Sequence, residues 1–247
     1  MNRILGILTT LCLILSAQEQ IYANFDVVAK HSAELAIKSF GIVKKVNVDV
    51  SDMVKKGDVL VELENESEKI ALEAAKNDLE LANLALKHAK DILERFKKVK
   101  SVTSTQAYED AEFEFKRASL AVQKAKIAIK NANEMLENKL LKAPFDGTIS
   151  KKSIEVGEGV GGVAQRLIGI FSYPEVKLVI SYDEKFKDVV KVGSEFRYKL
   201  DGSNEEIVGA IALIHPKIDT KTRKIYAEVY AQGLMPGLFG EGYITVK

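Results

Sequence analysis

The chain has 247 residues and a nearly balanced charge, with 36 lysines and arginines against 35 aspartates and glutamates. This balance provides no strongly basic surface of the kind that binds nucleic acid or an anionic membrane, so neither is expected as a partner. Because Cys12 is the only cysteine, the composition also excludes a disulfide framework and a redox cysteine pair.

The first 17 residues have the pattern of a secretory signal peptide. Arg3 precedes an apolar run over residues 4–15, and a small residue, Ala17, follows the run. Crossing a bilayer takes about 20 apolar residues, and this run has only twelve. We therefore expect export and then cleavage after Ala17, with Ala23 as an alternative cleavage point. A retained membrane anchor is the competing interpretation.

Two separate stretches of the chain, residues 41–64 and 141–171, have the alternation of half-buried β-strands. The first contains a turn at Gly57, with alternating valines on both sides, and the second has Gly157 at the corresponding place. The two stretches therefore form an internal repeat. We expect them to be the two halves of one small β-sandwich.

The segment between these halves, residues 65–140, contains two heptad seams whose apolar residues are alternately three and four apart. This spacing is typical of a coiled coil, and the alanines that alternate with the larger residues permit close helix packing. It predicts an antiparallel α-helical coiled-coil hairpin inserted in the split sandwich, while a pair of core helices in a bundle is the alternative. The larger seam residues are Leu72, Leu79, Leu86 and Leu93 in the first helix and Phe115, Val122, Ile129 and Leu136 in the second.

The ends of the two predicted helices carry capping signals. Asn65 and Glu68 have the spacing of a capping box at the start of the first helix, and Thr103 and Gln106 have it at the start of the second. The connection between the helices is therefore short, within residues 100–105. At 1.5 Å per residue, each arm is about 45 Å long.

The last segment, residues 172–247, is again rich in β-branched and alternating residues. We expect it to form a β-barrel together with residues 24–40, which contain one further strand. The fold class is therefore mixed α+β, elongated and modular, with a helical hairpin, a split lipoyl-like sandwich and a barrel.

Specific strings give this architecture a family resemblance. The sequence Gly-Asp-Val-Leu at residues 57–60 and Ala-Pro-Phe-Asp-Gly at residues 143–147 resemble the two half-motifs of the lipoyl domain in periplasmic adaptor subunits. These are the HlyD-like membrane fusion proteins of efflux systems, and the segments over residues 214–223 and 234–238 resemble their barrel domain. From the resemblance we expect the family's membrane-proximal domain to be absent from this chain. An enzyme-associated lipoyl carrier is disfavoured, because the place of its modifiable lysine is filled by residues 64–140.

The resemblance implies partners and a docking site. In the adaptor family the hairpin tip meets an outer-membrane channel, which assigns that role here to Arg95, Val99, Ser101 and Ser104. Val99 stands where the family's tip motif has leucine. Alternatively, Arg95 only stabilises the C-terminus of the first helix through the helix dipole, and Ser104 only caps the N-terminus of the second helix.

The other implied partners are an inner-membrane transporter, most simply of the resistance-nodulation-division (RND) class, and further copies of the chain in a ring or tube. The location is then the periplasm, at the inner membrane. An adaptor for an ATP-driven (ABC) exporter and a coiled-coil scaffold of the cell envelope without a transport role are the alternatives.

No catalytic constellation is present in the sequence. His31, His88 and His215 are scattered, with no ligand spacing between them. The four methionines are not clustered, which argues against copper handling. We expect a protein that is not an enzyme and that has no cofactor and no metal site.

Overall fold

The computed structural model describes residues 19–98, 104–161, 164–202 and 205–246, and the predicted signal peptide and residues 99–103 of the connection between the helices lie outside these ranges. The chain divides into two units, of which one contains the barrel strands and the other spans Ser32–Phe171. Each unit has its own apolar core. The chain passes from one unit to the other near His31 and again near Ser172.

The first unit is a closed six-stranded antiparallel barrel. Its residues alternate between the core and the surface. In the strand Glu175–Asp183, for example, buried side chains alternate with more exposed ones over nine residues. In order around the barrel the strands are β1 (Glu19–Ala29), β10 (Glu175–Asp183), β13 (Lys224–Gln232), β12 (Ile207–Asp219), β11 (Glu195–Leu200) and β14 (Phe239–Val246).

Aromatic rings fill the centre of the barrel. Phe25 contacts Phe196 and Tyr198 edge to face, with ring centroids 5.9 and 5.2 Å apart. Space for these rings comes from β14, where a Cβ atom on Gly240 would stand 2.7 Å from the Phe25 ring and one on Gly242 would stand 2.8 Å from the Phe196 ring. The two glycines therefore fit the core because they have no side chain.

The second unit holds two four-stranded sheets around one apolar core. The most buried side chains of this core include Leu60, Leu63, Ile149 and Ile170. One sheet has the order β2 (Ser32–Leu35), β9 (Ile168–Phe171), β7 (Gly147–Lys152) and β4 (Met53–Val54). The other has the order β6 (Leu140–Lys142), β5 (Val59–Leu63), β3 (Phe40–Val46) and β8 (Gly159–Gly161).

The internal repeat is visible in the hydrogen bonds between the two halves. Gly57 donates its backbone N–H to Ala143, and Gly157 donates in the same way to Val43, each over 2.9 Å. Both glycines have positive φ, 95° and 91°, which other residues rarely adopt. Each half thus holds the other through an equivalent glycine turn.

The barrel boundary differs from the sequence-based expectation that residues 24–40 belong to the barrel. β1 begins earlier, at Glu19, and ends at Ala29, whereas β2 pairs with β9 in the sandwich. The reason is burial, because Ile37 is 1% exposed and Leu35 packs against the same sandwich core. The alternative cleavage point after Ala23 lies inside β1, in the part that pairs with β14.

Candidate functional site

Two helices lie between β5 and β6 in the chain, α1 (Glu66–Lys98) and α2 (Thr105–Glu137), and we call them the helical pair. Each has 33 residues, which corresponds to a length of about 50 Å. They are in contact along their lengths and run in opposite directions, since residues late in α1 share a groove with residues early in α2.

The predicted seam residues are the inward-facing residues of the helical pair. Leu93 and Val122 are buried, and the other large seam residues are half-buried. Between them lie buried alanines, such as Ala75 on α1 and Ala125 on α2. The residues beside the seam are mostly exposed and charged. The structure thus brings the two apolar lines together, while supercoiling of the helices stays a prediction.

The caps of the helical pair differ from the predicted capping boxes. Ser104 is the N-cap of α2, and its hydroxyl accepts a hydrogen bond from the backbone N–H of Ala107 over 3.2 Å. Gln106 instead donates to Asp110 in the next turn. The predicted partner Thr103 lies outside the described residues. The backbone reaches helical geometry one residue later than the sequence pattern suggested, so Ser104 does the capping.

The predicted box at the start of α1 is also wrong. The backbone oxygen of Asn65 accepts a hydrogen bond from the N–H of Lys69, as that of an N-cap does, but the side-chain amide of Asn65 donates to Glu62 over 3.1 Å. The buried Oδ1 of Asn65 accepts no hydrogen bond within the described part of the chain. The side chain of Asn65 therefore ties the start of the helix to the strand β5 and does not cap the helix.

At the tip, the structure places two of the four predicted docking residues. Arg95 is exposed in the last turn of α1, next to Lys97 and Lys98, and Ser104 is exposed at the start of α2. Val99 and Ser101 lie outside the described residues. Basic side chains at a helix C-terminus stabilise it through the helix dipole, so Arg95 has a structural role whether or not it docks.

A groove of 620 Å³ runs along one side of the helical pair, in the half nearest the tip. Sequence reasoning missed it, although small residues next to the seam, Ala85 and Ala121, are a signal for it. Its rim carries both signs of charge, with Glu114 and Arg117 among the lining residues. Its floor is formed largely by alanines, namely Ala85, Ala89, Ala107, Ala111, Ala118 and Ala121.

At the other end of the helical pair, an ion pair ties the first turn of α1 to the residue that follows the C-cap of α2. The Lys139 ammonium lies 3.3 Å from the Glu68 carboxylate, and both side chains are less than 20% exposed. Lys139 also donates to the carbonyl oxygen of Phe40 in β3. Burial would raise the pKa of Glu68, but hydrogen bonds from its own N–H, Ser67 and Lys139 outweigh it, and the pKa is lowered.

We expect this ion pair to make stability depend on pH. Because the pKa of folded Glu68 lies below its ordinary value of 4.5, the stabilisation is complete above that pH and is lost as pH falls through the folded-state pKa. Glu68→Gln should lower the free energy of unfolding by about 1 kcal/mol at pH 7, with a smaller difference at pH 3. Urea denaturation followed at 222 nm measures it. Glu66→Gln, whose side chain is 78% exposed, is the control, and an equal effect of both changes would contradict this role for Glu68.

Buried charge in the barrel is paired in a similar way. Glu228 is 8% exposed, and one carboxylate oxygen lies 2.7 Å from the Lys177 ammonium and 3.2 Å from the His215 ring. Burial would raise the pKa of Glu228, but these two partners reverse the effect and lower it. The two partners compensate the buried negative charge of Glu228. The lowered pKa keeps this carboxylate ionised and does not prepare it for proton transfer.

Two further observations concern chemistry and membranes. Across residues 19–98, 104–161, 164–202 and 205–246, no group of three or more His, Cys, Asp or Glu side chains is placed to hold a metal ion. In the same ranges, neither helix combines the length and the apolar character that a membrane span requires. What the helical pair offers chemically is therefore a pair of long surfaces and a polar tip.

Comparisons with known proteins identify this architecture. Residues 31–167 match the family of the CzcB-like, barrel-sandwich hybrid domain. The cobalt-zinc-cadmium resistance protein CzcB of Cupriavidus metallidurans is 26% identical over 223 residues, which are 84% of this chain and 41% of that protein. The chain thus spans about two fifths of the length of this relative.

Solved structures show the same fold. A MacA–MexA chimeric protein with the α-hairpin domain of Pseudomonas aeruginosa MexA superimposes with a TM-score of 0.72 at 18% identity, covering 93% of this chain and 83% of that one. MacA of Actinobacillus actinomycetemcomitans gives 0.67 at 18% identity, covering 93% and 79%. The chain belongs to the family of the CzcB-like, barrel-sandwich hybrid domain.

Proposed function

We propose that this chain is a periplasmic adaptor of a tripartite efflux system, which bridges an inner-membrane transporter and an outer-membrane channel. The observation that carries the proposal is the helical pair, whose two 33-residue helices run from the sandwich to an exposed polar tip. Such a pair is long enough to reach a partner that the sandwich alone cannot reach. Membership of the adaptor family supports the same function.

In this function the chain supplies geometry and the transporter does the work. The seam would make the helical pair a stiff coiled-coil hairpin within the split sandwich, because each large residue packs between alanines of the facing helix. Arg95 and Ser104 would meet the helical end of the channel, and Val99 and Ser101 would lie in the same contact. The barrel and the sandwich would pack on the transporter and keep the chain at the inner membrane.

The transporter is proposed to be of the RND class, and an ABC exporter is the alternative. The relatives differ in what their names state they handle, since one is a cobalt-zinc-cadmium resistance protein and another, EmrA of Haemophilus influenzae, is a multidrug export protein. In an adaptor role the choice of exported compound would belong to the transporter. The exported compounds are therefore proposed to be drugs or other small molecules that the partner selects.

The first experiment tests what the tip contacts. In a Cys12→Ser background the chain has no cysteine, so Ser104→Cys can carry one photo-crosslinker in intact cells. We expect mass spectrometry to identify an outer-membrane channel protein as the captured partner. A probe at Asn133→Cys, 29 residues farther along α2 and so about 44 Å from the tip, is the control and should not capture it.

The result separates the adaptor from the scaffold alternative. Capture of the channel from Ser104→Cys alone supports docking at the tip. Capture of the same unrelated envelope proteins from both positions, in cells whose drug accumulation does not change when the chain is deleted, would favour a coiled-coil scaffold without a transport role. Co-purification of the captured complex with an ATP-binding subunit would favour the ABC alternative over the RND class.

A further inference from the structure

A pocket of 440 Å³ lies at one end of the barrel, where β12 turns into β13, and we call it the barrel pocket. Its volume is in the range of about 300–1,000 Å³ that is usual for small-molecule sites. Half of its lining residues are lysine or histidine, which points to an anionic ligand. The lining residues are His215, Lys217, Asp219, Thr220, Lys221 and Tyr226.

The barrel pocket lies at an irregularity in the strand pairing. Three residues of β12, residues 215–217, stand opposite the single residue Tyr226 of β13, so the regular ladder is interrupted there. A β-bulge of this kind redirects side chains and recurs beside functional sites. Two of the cationic lining residues, His215 and Lys217, come from the bulge itself.

The hairpin that forms the barrel pocket carries a local excess of positive charge. Within residues 215–224 there is one carboxylate, that of Asp219, against four lysine and arginine side chains. The total charge of the chain is nearly balanced, so this excess is a property of the hairpin and not of the whole protein. Such a local concentration of one sign attracts ions of the other. The four cations are Lys217, Lys221, Arg223 and Lys224.

Asp219 does little to offset this charge, because its carboxylate is already satisfied. The backbone N–H groups of Lys221 and Thr222 donate to one of its oxygens over 2.8 and 3.2 Å. These two hydrogen bonds are the main reason why the pKa of Asp219 is lowered, and the charge of Lys217 contributes least. Asp219 therefore shapes the turn and stays ionised without an ion pair to a lysine of the barrel pocket.

The other carboxylates near the barrel pocket have partners of their own. Glu228 is paired with Lys177 and His215, as described above, and Glu184 lies 3.7 Å from the Arg223 guanidinium. Lys217 and Lys221 are both exposed, and neither forms an ion pair within the part of the chain that the structure describes. Two ammonium groups of the barrel pocket are thus free to bind an anion.

We propose that the barrel pocket binds the terminal phosphate group of a phosphomonoester. A doubly charged phosphate matches the two ammonium groups of Lys217 and Lys221, whereas a single carboxylate would leave one of them uncompensated. Thr220 and Tyr226 bring hydroxyl groups that can donate to further phosphate oxygens. A soluble phosphorylated compound and a lipid headgroup share this chemistry. The site goes beyond the adaptor function, and it can be tested on the purified chain.

The first probe is inorganic phosphate, added to the ¹⁵N-labelled chain and followed by nuclear magnetic resonance. We expect the backbone amide signals of residues 215–222 to shift and to saturate at one phosphate per chain. Changing Lys217→Gln and Lys221→Gln together should weaken binding by about tenfold or more. Tyr226→Phe removes a hydroxyl group without changing the charge and should weaken binding by about threefold or more.

The matched control removes the same charge from the other unit. Lys38→Gln with Lys45→Gln changes two exposed lysines of the sandwich, and this variant should bind phosphate as the unchanged chain does. Equal weakening in the control and in the double variant of Lys217 and Lys221 would overturn the proposal, because total charge alone would then explain binding. Acetate that binds as tightly as phosphate, or the absence of any saturating shift, would also overturn it.

The second probe separates the two sources of the phosphate group. Vesicles of phosphatidylcholine with phosphatidic acid, and vesicles without it, are sedimented with the purified chain. Sedimentation with the phosphatidic acid vesicles alone, reversed by inorganic phosphate, supports the proposal with a lipid headgroup as ligand. Phosphate binding without sedimentation supports it with a soluble phosphorylated compound. Channel capture at Ser104 does not involve the barrel pocket, so failure of either result leaves the other standing.

Discussion

Leu86→Asp should separate the helical pair while both β-units stay folded. Leu86 is a half-buried seam residue near the middle of α1, and the residues around it on α2 are apolar. A carboxylate at this point loses the packing of leucine and brings an unpaired charge into the seam, which costs about 3 kcal/mol. Isolated helices with charged outer faces are marginally stable in water, so helix content should fall with the packing.

Two spectroscopic signals report on the two units separately. α1 and α2 are the α-helices of the described chain, so ellipticity at 222 nm reports mainly on the helical pair. The sequence has no tryptophan, and seven of its eight tyrosines lie in the unit that contains the barrel. Leu86→Asp should lower the ellipticity and leave the tyrosine fluorescence unchanged.

Leu84→Asp is the matched control, because it makes the same change two residues earlier on the outer side of α1. Its 59% exposure predicts a change in the free energy of unfolding within about 0.5 kcal/mol. Retained ellipticity in Leu86→Asp, or an equal loss in both variants, would contradict the seam.

The helical pair could be predicted from sequence because its signal is local and repeated. A spacing of three and four over more than three heptads leaves few other structures for residues such as Leu79 and Val122. The caps were harder, because Ser101, Thr103 and Ser104 are all suitable residues within one short connection. Which of them caps depends on the backbone angle at that residue, and Ser104 has the extended ψ of 143° that an N-cap needs.

The boundary of the barrel was missed for a different physical reason. The strand β2 has the same weak alternation as a barrel strand, and its length of four residues carries little information. Its place is decided by pairing with Ile168 to Phe171, more than 130 residues away, and by the burial of Ile37. Such long-range contacts leave no local pattern in the sequence.

The candidate site was partly predictable. Arg95 and Ser104 were predicted by resemblance to a family motif, and their docking role stays a prediction, whereas the groove was not predicted at all. Apolar residues such as Leu120 recur regularly in the sequence, but exposed apolar residues become informative only when the inward side of each helix is known. The structure supplies that side through Leu93 and Val122, and Leu120 is then seen to face outward.

Gly240→Ala should destabilise the barrel selectively. The added Cβ atom would stand 2.2 Å from the backbone oxygen of Lys199 and 2.7 Å from the ring of Phe25. The oxygen belongs to β11, which is paired with β14, and the ring is fixed between Phe196 and Tyr198. Neither neighbour can move without breaking strand pairing or core packing, so we expect a loss of about 3 kcal/mol.

Urea denaturation followed by tyrosine fluorescence measures this loss, and its midpoint should fall while the ellipticity of the helical pair at 222 nm is retained. Gly159→Ala is the matched control, since Gly159 also lies in a strand but no atom stands within 4 Å of the added Cβ. Its stability should change by no more than about 0.5 kcal/mol, because alanine also restricts the unfolded chain. Equal shifts in both variants would mean that backbone freedom, and not the space occupied by Phe25, explains the glycine in β14.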